Sequence, residues 1–170
     1  VSVSSRMGLA FYPGSFDPFH LGHLDVVEQG LEIFGELVIG VMHNPDKPSA
    51  WMSPEERADL IRQSVAHLGK GVCVEMFSGL AVQAAAKIKA AVIVKSARTG
   101  ADFDVEQQMA HMNEASTGIR TVLVFSKPEH SFISSRYIRQ YVHDNGEMKT
   151  RLVPEPVHKA LAAKTGKGGK

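Results

Sequence analysis

The sequence predicts an α/β fold, a Rossmann-like doubly wound sheet of about five parallel strands with helices on both faces. Two observations predict it. Short apolar runs alternate with segments of helical periodicity along the chain, and that order favours parallel strands joined by helical crossovers. The 170 residues are 44% hydrophobic and 22% charged, which is typical of one globular domain with a single core.

Five short apolar runs are the predicted strands. They cover residues 9–12, 37–42, 72–77, 90–94 and 121–125. Cys73 is the single cysteine of the chain, and we expect it to be a buried strand thiol. One thiol forms no internal disulfide, which is consistent with a reducing cytoplasm.

The predicted helices lie between and after these strands. Ser53 can cap the second helix, Pro54 suits its first turn, and Glu56 completes a capping box. Gly69 ends that helix shortly after residue 67. The other predicted helices cover residues 24–34, 80–88, 102–115, 134–145 and 154–163.

The net charge and the hydropathy of the chain argue against a nucleic-acid-binding protein and against a membrane-spanning one. The net charge is +1 with His neutral, so we expect no broad basic surface for nucleic acid and a local site for any bound anion. No apolar run approaches the roughly 18 residues of a membrane span. We therefore expect an extension over residues 1–8, one domain over 9–163 and a disordered basic tail over 164–170, in a cytoplasmic protein without nucleic-acid or membrane partners.

The loop after the first predicted strand carries the most specific motif. Residues 12–23 read Tyr-Pro-Gly-Ser-Phe-Asp-Pro-Phe-His-Leu-Gly-His, and ligands of parallel sheets bind beyond the carboxyl ends of the strands. Gly14 permits close approach of a ligand to the backbone, Ser15 adds a hydroxyl, and the following helix N-terminus suits a phosphate. His20 and His23 lie three residues apart and can donate to phosphate oxygens at one site.

Two other interpretations of this loop stay open. The histidine pair could hold a metal ion, but zinc sites use three or four protein ligands and no third lies at motif spacing. We therefore name no protein metal ligand. The loop could also be a Pro/Gly turn that carries two surface histidines.

Pro-Gly-Ser-Phe-Asp-Pro followed by His-Leu-Gly-His resembles the signature of the nucleotidyltransferase superfamily with the [T/H]-x-G-H motif. The resemblance implies that His20 and His23 contact the nucleotide phosphates, with His23 as the donor to the transition state. This motif is specific for the superfamily but leaves the substrate open.

Later segments resemble the phosphopantetheine adenylyltransferases of that superfamily, in the same order along residues 9–163. Asn-Pro-Asp-Lys at 44–47 ends in Lys47, at the place where that family bridges the two reacting phosphates. Phe-Ser-Gly-Leu at 77–80 resembles the turn that receives the pantetheine arm. The segment 102–113 resembles the family's helix, whose acidic residue for the ATP ribose corresponds to Glu106.

Two more segments match the family in part. Lys-Ser-Ala-Arg at 95–98 keeps the ends of the family's Lys-Gly-Leu-Arg, and Arg98 is expected at the ATP phosphates. Ser96 replaces the glycine. Ser-Phe-Ile-Ser-Ser-Arg at 131–136 resembles a phosphate-binding run of hydroxyls, with Arg136 in place of the last one.

The resemblance implies adenylyl transfer from ATP to 4′-phosphopantetheine in coenzyme A biosynthesis, with Mg²⁺ carried by the triphosphate. It also implies a hexamer and coenzyme A as a feedback ligand. The implied catalytic residues are Ser15, His23, Lys47 and Arg98. The implied ATP-binding residues are Ser15, Phe16, His20, Gly22, His23, Lys95, Arg98, Glu106, Ser131, Ser134 and Ser135. The implied acceptor-binding residues are Ser15, Lys47, Gly79, Leu80 and Lys95.

Three alternatives stay open. A nicotinamide mononucleotide adenylyltransferase shares the His-x-Gly-His loop, although the 44–47 and 102–113 segments argue against it. A cytidylyltransferase for a sugar or polyol phosphate is a further option. A non-catalytic module would bind ATP without forming pyrophosphate, and the departures at Ser96, Ala97 and Arg136 keep it open.

Overall fold

The computed structural model describes residues 8–44, 51–145 and 151–165. Its sheet has five strands, each parallel to its neighbours, in the order β3-β2-β1-β4-β5. The strands are β1 (Ala10–Gly14), β2 (Leu37–His43), β3 (Val72–Ser78), β4 (Val92–Ala97) and β5 (Arg120–Phe125). The predicted fold class is confirmed.

Six α-helices accompany the sheet in the described part of the chain. They are α1 (Leu21–Phe34), α2 (Pro54–Val65), α3 (Ala81–Lys87), α4 (Gly100–Thr117), α5 (Ser135–Asn145) and α6 (Glu155–Thr165). Two short 3₁₀ segments, Ala66–Gly71 and Pro128–His130, were not predicted. The first of them ends α2 about two residues earlier than expected. Gly69 lies within it with a φ of 79°, a conformation that favours glycine.

Apolar layers cover both faces of the sheet because side chains alternate along each strand. Phe11 and Tyr12 are neighbours in β1 but enter opposite layers. One layer joins Tyr12 to buried residues of α1, α2, α5 and α6. The other joins Phe11 to Phe77 and to the buried face of α3. Helices on both faces leave the strand ends as the place where polar loops can meet.

Cys73 corrects one expectation, since it is exposed rather than buried. The reason is its position on β3, which lies at the edge of the sheet. Only Val74 and Phe77 of that strand are buried, so the apolar layers cover only part of this edge strand and leave the thiol exposed.

The chain ends differ from the prediction at the C-terminus. Helix α6 continues through Thr165, two residues into the predicted tail, and Lys164 Nζ lies 3.2 Å from the carboxylate of Glu56 in α2. Most of the predicted extension and residues 166–170 lie outside the described residues. No helix in the described part of the chain has the length and apolar character needed to cross a membrane.

The connection from β3 to β4 sets the position of the site. Strands β2 and β3 are added in sequence on one side of β1. The chain then crosses back over the sheet, and β4 pairs with β1 on its other side. The crossovers therefore reverse direction between β1 and β4. In a doubly wound sheet a crevice forms at the carboxyl ends of two such strands.

Candidate active site

A cavity of about 360 Å³ opens at this crevice, a volume within the range of small-molecule sites. The loop after β1, the end of β4, helix α4, the residue after β5 and the start of α5 all contribute to it. Its lining is formed by Tyr12, Pro13, Gly14, Ser15, Phe16, His20, Gly22, His23, Lys95, Ser96, Arg98, Glu106, Ser126, Ser134, Ser135 and Arg136.

Most of the predicted site residues converge on this cavity although they are far apart in the sequence. They are Ser15, Phe16, His20, Gly22, His23, Lys95, Arg98, Glu106, Ser134 and Ser135. The structure thus brings together the four segments that carry them. The individual roles of these residues stay predictions.

Three predicted residues lie elsewhere, and a fourth is not described. Lys47 lies outside the described residues. Gly79 and Leu80 follow β3, two strands away from β1, and Leu80 is 62% exposed. Ser131 is absent from the described lining, and its hydroxyl donates to the carbonyl of Pro128 at 2.8 Å within a turn.

The two motif histidines form a reciprocal cap at the start of α1. His20 is the N-cap residue, and its Nδ1 accepts the backbone N–H of His23 at 3.3 Å. In turn, Nδ1 of His23 accepts the backbone N–H of His20 at 3.3 Å. The rings stack with centroids 3.5 Å apart. A capping box normally pairs Ser or Thr with Glu or Gln, and here two imidazoles replace both side chains.

The cap decides the protonation of both rings. A nitrogen that accepts a hydrogen bond carries no proton, so each neutral ring holds its proton on Nε2. Burial lowers the pKa of His20 to about 3, and the charges of Arg98 and His130 add to that effect. Burial also holds the pKa of His23 well below 6.5, with contributions from His20 and Arg98. Both rings are therefore neutral donors at neutral pH.

The side chain of Phe16 packs against one ring of this histidine pair. Its ring is buried and meets the His23 ring edge to face, with centroids 5.0 Å apart. The aromatic contact limits the orientations open to His23. Phe16 was predicted to bind ATP, and because its ring packs inward its backbone is the part that can face the cavity.

Cationic side chains dominate the charge of the lining. Arg98 donates through Nη1 to the carbonyl of Ile133 at 2.6 Å, and its Nε lies 3.4 Å from the carboxylate of Asp102. Lys95 Nζ lies 3.7 Å from the carboxylate of Glu106, which is the single carboxylate of the described lining. A cavity with this charge suits a polyanion such as a triphosphate.

Ser96, which stands where the family has glycine, forms a side-chain hydrogen bond in this structure. Its hydroxyl lies 2.9 Å from the hydroxyl of Ser126, across the neighbouring ends of β4 and β5. Ser126 was not among the predicted residues, yet it lines the cavity. Arg136, which replaces the last hydroxyl residue of the family's run, also lines the cavity, so this residue can add positive charge there.

Two buried carboxylates that the sequence analysis missed hold the loops around the cavity. Asp17 accepts the backbone N–H groups of Trp51 and Met52 at 2.7 and 3.0 Å. Asp25 of α1 accepts the backbone N–H of Lys127 at 2.8 Å, and Lys127 Nζ lies 3.2 Å away. The sequence did contain a signal for Asp25. Its helical spacing places this carboxylate on the inward face of α1, together with Gly22 and Val26.

Among residues 8–44, 51–145 and 151–165, no group of three His, Cys, Asp or Glu side chains could hold a metal ion. The histidine pair itself has both Nδ1 atoms engaged in the cap.

Sequence comparison identifies the family of the chain. The cytidylyltransferase-like family model matches residues 11–141. A phosphopantetheine adenylyltransferase from Synechococcus sp. (strain JA-2-3B'a(2-13)) is 44% identical over 154 residues, which cover 90% of this chain and 95% of that protein. Another from Bdellovibrio bacteriovorus is 39% identical over 160 residues, covering 94% and 98%. The chain belongs to the phosphopantetheine adenylyltransferase family.

Solved structures agree on the fold. A bifunctional nicotinamide mononucleotide adenylyltransferase/ADP ribose pyrophosphatase from Francisella tularensis superposes with a TM-score of 0.72 at 15% identity. The match covers 94% of this chain and 50% of that one, so this chain spans half the length of that protein. A structure of the same kind of protein complexed with AMP and a manganese ion gives a TM-score of 0.69 at 16% identity. At these identities the likeness concerns the fold alone.

Proposed function

We propose that this protein, a nucleotidyltransferase of the family named above, transfers the adenylyl group of ATP to 4′-phosphopantetheine in coenzyme A biosynthesis. The observation that carries the proposal is the stacked His20–His23 cap at the switch point of the sheet. It faces the same cavity as Lys95 and Arg98. Neutral N–H donors and fixed cations around one cavity suit transfer between two phosphates better than chemistry that needs a protein nucleophile.

The reaction needs positioning and charge stabilisation. An oxygen of the acceptor phosphate forms a bond to the α-phosphorus of ATP, and the bond from that phosphorus to the bridging oxygen breaks. Dephospho-coenzyme A forms and pyrophosphate leaves with the electron pair. The attacking phosphate is already anionic, so no side chain has to act as the nucleophile. Preorganised donors then stabilise the charge that develops in the transition state.

The described residues can position the two phosphates and stabilise the transition-state charge. His23 and His20 donate Nε2–H toward phosphate oxygens, and Arg98 and Lys95 add positive charge. Ser15 orients the acceptor phosphate, and Glu106 accepts from the ribose. Lys47, which lies outside the described residues, is proposed to bridge the two phosphates, with Gly79 and Leu80 at the pantetheine arm.

The nucleotide enters as its Mg²⁺ complex in this proposal. The ion belongs to the substrate, held by phosphate oxygens and water, because the described lining offers only one carboxylate and that one lies beside Lys95.

Coenzyme A contains both halves of the product, so we propose that it can occupy the same cavity as a feedback ligand.

We also propose that the protein assembles as a hexamer. Helix α4 carries an exposed apolar stripe, defined by Val105, Met109 and Met112, which are 60, 50 and 67% exposed. An apolar stripe of this kind marks a protein contact surface. The cytoplasmic location and the absence of nucleic-acid partners stay predictions from the sequence.

Pyrophosphate release from MgATP tests the activity, with 4′-phosphopantetheine and nicotinamide mononucleotide as alternative acceptors. We expect release with 4′-phosphopantetheine alone, reduced about 100- to 1,000-fold in His23→Ala because one transition-state donor is lost. His143→Ala is the matched control, since that histidine is exposed on α5 and is not part of the described lining. Release with nicotinamide mononucleotide alone would overturn the acceptor. ATP binding without release would favour the non-catalytic module.

A further inference from the structure

Arg57 is a buried arginine outside the cavity that the reaction above does not use. It lies in the first turn of α2 and is only 3% exposed. It shares the inward face of that helix with Ala58 and Ile61. A guanidinium in such a position must find enough acceptors to offset the loss of water.

The acceptors of Arg57 are three backbone carbonyls from three segments. Nε donates to the carbonyl of Ser53 at 3.3 Å. Nη1 donates to the carbonyl of Ser15 at 2.5 Å and to that of Met42 at 3.2 Å. Arg57 therefore joins the loop after β1 to the end of β2 and to the start of α2.

Other side chains hold the next carbonyls of the same loop. A guanidinium N–H of Arg139 donates to the carbonyl of Asp17. The hydroxyl of Ser135 donates to the carbonyl of Pro18 at 2.8 Å. Side chains of α2 and α5 thus engage three carbonyls between residues 15 and 18.

The engaged Ser15 carbonyl sets the direction of the next N–H. In a trans peptide the C=O of one residue and the N–H of the next point in opposite directions. The Ser15 carbonyl points to Arg57, which is not part of the described cavity lining. The Phe16 N–H therefore points away from Arg57. Phe16 lines the cavity with a buried ring and has a φ of 50°, a left-handed conformation uncommon for residues other than glycine.

Within the described residues no backbone carbonyl accepts the Phe16 N–H. We infer that Arg57 is a positioning residue, which orients the Ser15–Phe16 peptide so that the Phe16 N–H donates to a phosphate oxygen of the bound nucleotide. The inference rests on the proposed function for the identity of the nucleotide. It assigns Arg57 a role in catalysis without contact to the substrate.

The test compares Arg57→Met, which keeps the apolar stem and removes all donors, with Arg57→Lys, which keeps one charge. Arg62→Met is the matched control, because Arg62 lies on the same helix but donates to Asp59 and to the carbonyl of Val74 instead. Three quantities are measured for each variant. They are the melting temperature, kcat and KM for pyrophosphate release, and the ¹H–¹⁵N signal of the Phe16 amide during titration with MgATP.

We expect a loss of kcat of about 100-fold in Arg57→Met, similar to the removal of one transition-state hydrogen-bond donor, with partial recovery in Arg57→Lys and none of this effect in Arg62→Met. The Phe16 amide signal should shift strongly with MgATP in the wild type and much less in Arg57→Met. Rates are normalised to folded protein. If Arg57→Met does not fold, Arg57→Lys supplies the same three measurements.

Two results would overturn the inference. One is a folded Arg57→Met whose kcat stays within about threefold of the wild type, too small for a lost donor. The other is an equal Phe16 shift in the wild type and the variant. A wild type that forms no pyrophosphate with 4′-phosphopantetheine would refute the proposed acceptor instead. In that case the amide titration still decides the role of Arg57.

Discussion

His20 and His23 each accept the other's backbone N–H through Nδ1, so one hydrogen-bonded unit both starts helix α1 and assigns the tautomer of both rings. The arrangement explains why an imidazole can occupy the first position of the motif, since that residue is the N-cap. It also leaves Nε2 of both rings as the donor atom. The structural cap and the proposed phosphate-binding pair are therefore the same two side chains.

The buried cap predicts a loss of stability in mild acid. An unfolded histidine binds a proton below about pH 6.5, whereas folded His20 remains neutral until about pH 3. The stabilising contribution is therefore complete above about pH 6.5 and is lost as the pH falls toward 3. The slope is as much as about 1.4 kcal/mol per pH unit for one such histidine.

Urea unfolding of the wild type and His20→Thr at several pH values between 7 and about 4 measures this loss. Threonine keeps a capping oxygen but removes one titrating ring, so the variant should lose stability less steeply. Carboxylates contribute equally to both proteins and cancel in the difference. Equal slopes in the two proteins would contradict the prediction.

Asp25→Asn should loosen the segment after β5. The substitution keeps the size of the side chain and weakens its hydrogen bonds to Lys127 and Gln29. We expect a loss of about 1–3 kcal/mol in the free energy of unfolding, typical of a weakened buried hydrogen bond to a charged group. We also expect faster exchange of the Lys127 amide hydrogen and a higher KM for ATP.

Glu28→Gln is the control for that prediction, because Glu28 lies on the same helix and faces His67 at 3.9 Å, with both side chains exposed. If Asp25→Asn leaves both the Lys127 exchange rate and the KM for ATP unchanged, Asp25 does not hold this segment.

Ser96→Gly, which restores the family's residue, should not increase activity. Ser96 lies within β4 and its hydroxyl pairs with Ser126, so the chain already accommodates the side chain. Glycine in a strand costs roughly 0.5–1 kcal/mol in backbone entropy, and we expect a lower melting temperature with kcat of the same order. A rise of more than about tenfold in kcat/KM would show that the hydroxyl obstructs transition-state binding.

Met112→Glu should weaken assembly of the proposed hexamer, because it places a charge in the exposed apolar stripe of α4. Sedimentation equilibrium of the wild type should give the mass of six chains, and that of the variant a smaller mass. Gln107→Glu adds a charge on the opposite flank of the helix and should keep the larger mass. A wild type that sediments as a monomer would refute the hexamer.

Local patterns were enough to predict the order of strands and helices. The start of α2 is an example, since Ser53 and Glu56 form the expected capping box at 2.9 and 3.1 Å. Such features depend on residues within one turn of each other. Cys73 was predicted wrongly because its burial depends on β3 being an edge strand, which is a property of the whole sheet.

The sequence predicted which segments form the site, but not the hydrogen bonds that join these segments to one another. The motif at residues 12–23 and the partial matches at 95–98 and 131–136 name residues that line the cavity. They do not reveal that Ser96 meets Ser126, or that Asp17 holds the N–H groups of Trp51 and Met52. Those contacts join residues that are 30 or more positions apart, and no local spacing encodes them.

The sequence by itself determined the alternation of strands and helices, the segments that line the cavity and the family of the protein. Each of these depends on residue type and short-range order. Only the tertiary structure decided that the two motif histidines are neutral Nε2–H donors, because burial and the reciprocal cap set their pKa values. It also decided that Arg57 engages the Ser15 carbonyl, since the partner of a buried guanidinium depends on which backbone carbonyls folding brings within its reach.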